Sequence, residues 1–202
     1  MIYANWLGDL YLQLHPQLQK RYRLLEGEEF YAEGTMTLVA TRPKLFKPLY
    51  TLLTWNDLLF PESGTNIPFS LHMCTKRIND CTIDVIWTRT LHFEHTTRRF
   101  ISTMRINEPT YEATDYLGSP ALLASPIEPT VTQDGTFIMS SAKQFAPSPL
   151  GLIPLPKLMG GRVIVEEGYN EKREHFTIHV SMHNPIFGTM MQYAGHFVEK
   201  KR

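Results

Sequence analysis

One arginine in phase with an apolar strand face is the residue of greatest chemical interest in this sequence. Between Cys81 and Phe93, apolar and polar residues alternate, and Arg89 falls in phase with the apolar set. A period of two is typical of a strand with one buried face. A buried guanidinium is costly unless it pairs with an acid or binds an anionic ligand group. The sequence therefore predicts either an internal ion pair, with Asp115 or Glu167 as the acid, or a binding site.

Other side chains are candidates for the same site because they share the predicted inward faces or combine apolar and polar parts. Aromatic residues with a polar atom are found in binding pockets and also in cores, and methionine adapts to irregular apolar cavities. The predicted ligand-binding residues are Trp87, Arg89, Phe100, Met104, Asp115, Tyr116 and Gln144. The sequence predicts no catalytic residue.

The histidines and the missing motifs argue against metal and cofactor chemistry. His175, His179 and His183 would share one face of a helix, but apolar residues alternate with them, which indicates a strand. Residues four apart on a strand are separated by about 13 Å, too far for one ion to bridge. Neither a nucleophile elbow nor a glycine-rich phosphate loop is present. We therefore expect a solvated histidine face, no metal site and no cofactor.

Composition restricts the class of partner. The chain has 202 residues, is 43% hydrophobic and carries 20 basic and 20 acidic side chains, so it lacks the basic footprint of a nucleic-acid-binding protein. No apolar run approaches the ~18 residues of a membrane span, so we expect no stable membrane insertion. The start of the chain does not resemble a signal peptide. Two cysteines interpreted as free thiols then favour a cytoplasmic protein.

Hydrophobic periodicity predicts a mainly β protein with a few helices, organised as a single domain over residues 1–202. Residues 1–25 form a helical segment that packs on the sheet, with helices over Ile2–Leu14 and Pro16–Tyr22. A further helix, apolar on most sides, is expected after the first strand, between Pro43 and Pro61. About nine or ten strands, nearly all antiparallel neighbours, predict a strongly curved sheet or an up-and-down barrel.

Three stretches carry more specific expectations. The first strand covers 30–40 and is expected to turn Phe30, Ala32, Met36 and Leu38 inward. The proline-rich passage through Pro120, Pro126 and Pro129 is expected to be irregular. Residues 146–161 are rich in proline and glycine yet apolar, which predicts a packed loop without regular structure. That loop either closes the mouth of a cavity or covers a sheet edge.

Motifs spread over nearly the whole chain resemble one bacterial family. In chain order they are L-H-P-x-L-Q-x-R-Y from Leu14, L-F-P-E-S-G-x-N-I-P-F from Leu59, W-T-R-T-L-H-F from Trp87, R-R-F-I-S-T-M from Arg98, D-Y-L-G from Asp115 and N-P-I-F-G from Asn184. Together they resemble DUF4166, a domain of unknown function. The resemblance implies no activity and transfers no catalytic residue. The positions that recur in that pattern are Arg89, Arg98, Phe100, Asp115, Tyr116, Gly118, Asn184, Pro185 and Gly188. Its glycines and its Asn-Pro pair are expected to serve turns.

Three functions remain open on this evidence. The favoured one is non-catalytic binding of a hydrophobic or amphipathic, lipid-like small molecule in the cavity of an antiparallel β-barrel, with Arg89 facing its polar end. The second is an enzyme of the isomerase or hydrolase type that uses the same cavity, with Asp115 or a histidine as base. The third is an interaction module, built on apolar residues of 45–59 or 150–158. A homodimer is kept open as a further partner.

Overall fold

Within the described residues, thirteen strands form one sheet, and three short helices precede it in the chain. The computed structural model describes residues 1–42, 50, 53–156 and 160–200. The helices are α1 (Ile2–Leu7), α2 (Asp9–Gln13) and α3 (Pro16–Arg21). The strands are β1 (Glu29–Thr41), β2 (Ile67–Asn79), β3 (Thr82–His92), β4 (Thr97–Asn107), β5 (Glu112–Gly118), β6 (Ala121–Pro126), β7 (Glu128–Val131), β8 (Phe137–Ser141), β9 (Phe145–Ser148), β10 (Gly151–Pro154), β11 (Arg162–Asn170), β12 (His175–Asn184) and β13 (Gly188–Glu199).

The order of the strands shows that the sheet is rolled. From one end to the other it reads β10-β9-β6-β5-β4-β3-β2-β1-β13-β12-β11-β8-β7, and neighbouring strands run antiparallel. Only Ile127 separates β6 from β7, although these strands lie near opposite ends of that order. The two ends of the sheet therefore lie side by side. No ladder joins them in the part of the chain that is described, so the strongly curved open sheet is the one of the two predicted architectures that is found.

The central strand pair is as the alternating pattern predicts. β3 and β4 run antiparallel, with Trp87 opposite Ser102 and Arg89 opposite Phe100. Side chains of a strand alternate between its two faces, so residues two apart share one face. The inward set is buried, and Trp87, for example, is only 3% exposed. The predicted phase of Arg89 is confirmed as well, because that residue is 6% exposed.

The first strand departs from the prediction at its centre. The β1–β13 ladder shifts register between Met36 and Leu38. A β-bulge adds one residue to a strand, and the side chains beyond it change face. Leu38, which was expected to face inward, is therefore 38% exposed, and Val39 is buried instead at 1%.

The strand count exceeds the predicted nine or ten because both proline-rich passages contain short strands. Pro129 lies in β7, at the outer edge of the sheet, where a missing N–H leaves no ladder bond unmade. The passage that starts at Ala146 is not irregular throughout, since β9 and β10 form a hairpin there. Its tip does not pack, because Leu150 is fully exposed and Ile153 is 55% exposed. Leu158 of the same stretch lies outside the described residues.

The N-terminal helices fill part of the concave side of the sheet. Tyr3, Leu18 and Tyr22 have no exposed surface, and the Tyr22 ring lies 6.4 Å from that of Trp87. The helical segment is confirmed, with a break at Gly8. The apolar helix predicted after β1 falls largely on 43–49 and 51–52, which lie outside the described residues, although residue 50 and residues 53–55 are helical. None of the described helices has the length and apolar character needed to cross a lipid bilayer.

Candidate functional site

Arg89 is a buried cation without an acid in contact. Its guanidinium carbon lies 5.2 Å from the centre of the Trp87 ring and 5.3 Å from that of Phe100. Its Nε and Nη1 atoms are buried and have no hydrogen-bond partner. Among the described residues, no carboxylate oxygen lies within 4.0 Å of its nitrogens. Cation–π contacts stabilise the charge in part, but they do not replace the hydrogen bonds that water gives to a guanidinium.

The carboxyl of Asp115 interacts electrostatically with the Arg89 charge, although the two groups are not in contact. It lies on β5, opposite Met104 of β4 and Ser125 of β6. Its Oδ1 atom is buried and has no hydrogen-bond partner. Burial raises the pKa of the Asp115 carboxyl to about 6, against the opposing effects of the Arg89 charge and the Ser102 hydroxyl. Desolvation therefore outweighs attraction, as expected for a buried acid that lacks a direct ion pair.

A small cavity with mixed polar and apolar walls brings these groups together. Its volume is about 50 Å³, which is room for a few water molecules or one small polar group. The lining comes from six strands of both halves of the sheet and from the Ile127 crossing. The residues that line it are Trp87, Arg89, Ser102, Met104, Asp115, Leu117, Ser125, Ile127, Met139, Ser140, Ser141, Val163 and Val165. The Oγ atom of Ser125 is buried there and also lacks a partner.

A larger apolar cavity shares a wall with the small one. Its volume is about 500 Å³, within the range of small-molecule sites. Leu117 and Val163 line both cavities. The remaining lining combines leucines of residues 53–59, the β5–β6 hairpin, the β12–β13 turn and described residues on either side of 157–159, namely Ala146, Leu155, Gly160 and Gly161. These four residues belong to the stretch that was expected either to close a cavity mouth or to cover a sheet edge, and they form part of a cavity wall.

The structure places the predicted site residues in four different situations. Trp87, Arg89, Met104 and Asp115 line the small cavity. Phe100 makes a cation–π contact, because the Arg89 guanidinium lies over its ring. Gln144 lines the large cavity, where its Oε1 atom accepts a hydrogen bond of 2.6 Å from the Gly161 N–H.

Tyr116 lies apart from both cavities. It follows Asp115 directly on β5, so the two side chains point to opposite faces of the sheet. The Tyr116 ring instead carries Arg105, whose guanidinium carbon is 5.0 Å from the ring centre. Arg105 in turn donates two hydrogen bonds of 2.8 Å to the Asp84 carboxylate. This outer cluster is a structural ion pair and contributes nothing to the interior.

The four serines of the small cavity were missed by reasoning from the sequence. Ser102 lies two residues after Phe100 and two before Met104, so the period of two was sufficient to place it inside. A small polar residue on an apolar face is a weak signal, because serine is also tolerated in cores. Ser125 gave a still weaker sequence signal, because it lies in the passage that was expected to be irregular.

A second buried polar centre was also missed, although one of its members was a candidate partner for Arg89. Arg21 Nη1 and the Tyr22 hydroxyl both donate to Oε2 of Glu167, which has no exposed surface. Aromatic rings surround the Arg21 guanidinium at 4.8 to 5.5 Å, and they belong to Tyr22, Phe30, Trp87, Phe176 and Phe197. Glu167 therefore anchors α3 inside the sheet and is not the counter-ion of Arg89.

The turn positions behave as expected, and the histidines of β12 lie on its outward face, where His179 and His183 are exposed. His179 is a half-exposed neighbour of Glu166, with 3.1 Å between Nδ1 and Oε2. Across the described residues, no group of three ligating side chains is placed to hold a metal ion. Gly118 and Gly188 have φ values of 94° and 72°, and the Asn184 Oδ1 atom accepts two backbone N–H groups of its turn. The predicted turn roles are confirmed.

Comparison with known proteins agrees with the motif pattern. A family model described as "Domain of unknown function (DUF4166)" matches residues 14–197. The chain is also similar to the uncharacterized protein YndH of Bacillus subtilis (strain 168). The two are 34% identical over 201 residues, which cover 100% of this chain and 98% of that protein.

Proposed function

Because the chain belongs to the DUF4166 family, whose description carries no activity, we propose its function from the interior of the sheet. The protein binds a hydrophobic or amphipathic, lipid-like small molecule without transforming it. The polar end of the ligand faces Arg89 in the small cavity, and the apolar part occupies the large cavity. The observation that carries this proposal is a buried guanidinium, with two nitrogens that have no hydrogen-bond partner, at the wall of a small cavity that adjoins an apolar one of about 500 Å³.

The energetics support a ligand that completes the site. A charge removed from water costs several kcal/mol when it has no partner. A hydrogen bond to a charged group returns about 1.5–3 kcal/mol. Each methylene group buried in the large cavity adds about 0.8 kcal/mol. A molecule with one polar end and an apolar chain satisfies both parts of the interior at once. The two free thiols, Cys74 and Cys81, support the further proposal that the protein works in the reducing cytoplasm.

Native mass spectrometry of protein purified without refolding tests the proposal. We expect adducts of small-molecule mass that organic extraction removes, and lipid analysis of the extract then gives their class. The variant Arg89→Met should lose much of the adduct, whereas Arg173→Met should keep it, because Arg173 is exposed on the β11–β12 turn and lines neither cavity. Adduct-free protein that also binds no amphipathic compound after purification would overturn the proposal.

Asp115 gives a specific reason to keep the enzymatic alternative. A carboxyl with a pKa of about 6, beside a guanidinium and several hydroxyls, has the acidity that general acid–base catalysis uses near neutral pH. The candidate reactions are isomerisation or hydrolysis of the bound molecule. Prolonged incubation of the protein with the extracted ligand, followed by mass spectrometry and NMR, separates the two functions. An unchanged ligand favours binding alone, and a new species that Asp115→Asn fails to produce favours the enzyme.

A further inference from the structure

The charges around the small cavity define the polar end that would fit there. Its lining contains one cation, Arg89, and one acid, Asp115, and the remaining polar groups are serine hydroxyls. A single guanidinium matches a single negative charge, and it forms its best-aligned hydrogen bonds with a planar carboxylate or with a phosphate. A doubly charged phosphate monoester would bring a second negative charge towards Asp115 with no second cation in the lining to balance it.

The size of the small cavity also favours a carboxylate. A volume of about 50 Å³ holds a group of a few non-hydrogen atoms, such as a carboxylate. A phospholipid headgroup, with its glycerol and ester atoms, exceeds this space. Leu117 and Val163 border both cavities, so a chain attached to the carboxylate would reach the apolar space by passing these two side chains.

Resting on the function proposed above, we propose that the ligand is a long-chain monocarboxylic acid and that it is bound together with one proton. Its carboxylate lies between Arg89 and Asp115, and the proton is shared between the ligand carboxylate and the Asp115 carboxylate. The binding step therefore takes one carboxylate and one proton from solution, and no covalent bond of the ligand is broken.

The surroundings of Asp115 explain why the proton has to enter with the ligand. Two carboxylates that share a site cannot both stay ionised, so one of them takes up a proton. At neutral pH the ligand-free Asp115 is mostly ionised, because its pKa is about 6. A second carboxylate beside it raises that pKa further. The proton then lies on a hydrogen bond that also satisfies the unpartnered Oδ1 atom.

Among the residues that the structure describes, no other titratable group around Asp115 is placed to supply this proton. Arg89 faces it from β3, and β4 and β6 contribute the serines Ser102 and Ser125. Tyr3 of α1 and Tyr193 of β13 respond to the Asp115 charge, but burial raises the pKa of both phenols, so both stay protonated at neutral pH.

On β11, the nearest acid is Glu167. It also influences those two tyrosines, but it is occupied by Arg21 and Tyr22. The exchangeable proton of the site therefore belongs to Asp115 and the ligand.

Calorimetric titration of delipidated full-length protein tests this inference, with lauric acid, methyl laurate, dodecanol and dodecyl phosphate as probes of equal chain length. Titration at pH 7 in two buffers of different ionisation heat gives the number of protons taken up. We expect lauric acid to bind at least about tenfold more tightly than the ester or the alcohol, the effect of one charged hydrogen-bonded pair. Uptake should be close to one proton per acid, and the affinity should rise up to about tenfold for each unit by which the pH falls from 8 towards 6.

Variants separate the parts of the site. Asp115→Asn should bind lauric acid with no proton uptake and with an affinity that does not depend on pH. Arg89→Met should lose about tenfold or more in affinity for the acid while binding of the ester changes little. Arg162→Met tests the reversed orientation, because it removes a cation from the large cavity, where the carboxylate would then lie. Arg173→Met is the matched control and should bind like the wild type, because it removes an exposed cation from the β11–β12 turn, outside the lining of both cavities. If Arg89→Met fails to fold, proton uptake by the wild-type protein decides the question without it.

The outcomes distinguish this inference from the proposed function. Equal binding of acid, ester and alcohol would overturn the carboxylate assignment but leave an amphipath-binding protein. Tighter binding of dodecyl phosphate without proton uptake would assign the site to phosphate monoesters instead. A loss of acid affinity in Arg162→Met rather than in Arg89→Met would reverse the orientation and overturn the inference. If no probe binds, the inference and the proposed function fall together.

Discussion

Replacing Asp115 with asparagine should stabilise the ligand-free protein at neutral pH. Asparagine has the shape of the protonated acid and carries no charge. The pKa of Asp115 rises from the ordinary 3.8 to about 6 in the folded state, and each unit corresponds to about 1.36 kcal/mol. The ionised carboxylate therefore costs the folded state about 3 kcal/mol at pH values above 6, and the variant is free of this cost.

The pH dependence of the effect has a definite sign. Below pH 3.8 the carboxyl is protonated in the folded and the unfolded state, so it costs nothing. Between pH 3.8 and about 6, the unfolded chain releases the proton while the folded chain keeps it, so the stability of the wild-type protein falls as the pH rises. Above that window both states are ionised and the loss is complete. The advantage of the variant should thus be about 1.5 kcal/mol at pH 5 and about 3 kcal/mol at pH 7.5.

Urea unfolding of delipidated wild-type protein and of Asp115→Asn at these two pH values measures the difference. Asp80→Asn is the matched control, because it removes one carboxylate from the exposed β2–β3 turn and leaves the interior unchanged. Equal stability of wild type and Asp115→Asn at pH 7.5 would refute the reasoning. So would an advantage that stays constant between pH 5 and pH 7.5, since it would not come from the ionisation of Asp115.

Three further outcomes are expected. Glu167→Gln should lower the free energy of unfolding in urea by about 3–5 kcal/mol, because it leaves the α3 arginine buried without its acid. Glu166→Gln, on the adjacent outward position, should change it by less than about 0.5 kcal/mol, and equal effects would contradict the assignment. Val39→Ala should cost about 1–3 kcal/mol in the same assay and Leu38→Ala much less; the reverse order would disprove the bulge. Val163→Phe, at the wall common to both cavities, should reduce lauric acid binding at least about tenfold in calorimetry with the fold intact by circular dichroism, and unchanged binding would show that the ligand does not pass there.

The sheet was predictable where alternation was long and uninterrupted. β3 and β4 each keep one phase over 11 residues, so the inward position of Arg89 followed from the sequence alone. The phase of β1 was lost at the bulge before Leu38, because a single added residue inverts the faces beyond it and leaves no compositional sign. The passage around Pro129 was wrongly predicted to be irregular for a different reason, because proline excludes a central strand but not an edge strand such as β7.

The site was only partly predictable, because its members come together through long-range pairing. The sequence supplied Arg89 and Asp115 separately, and the β3–β4–β5 ladders bring them to one cavity. Nothing local indicated that Glu167 would turn to Arg21, which precedes it by 146 positions and lies on a different element. The large cavity was also beyond local pattern, since its wall combines the β5–β6 hairpin with the turn after β12.

The crossing at Ile127 limits how the interior can open. Among the described residues no ladder joins the two ends of the sheet, but the chain passes between them at Ile127 and again between β8 and β9. The two Cα–Cα steps from Pro126 to Glu128 span at most about 7 Å, which limits the gap at the first of these crossings. Ile127 is held further by the hydrogen bond of 2.9 Å that its N–H donates to the Ala113 carbonyl. The one-residue connection after β6 and the three-residue connection after β8 therefore both hold the two ends of the sheet close together.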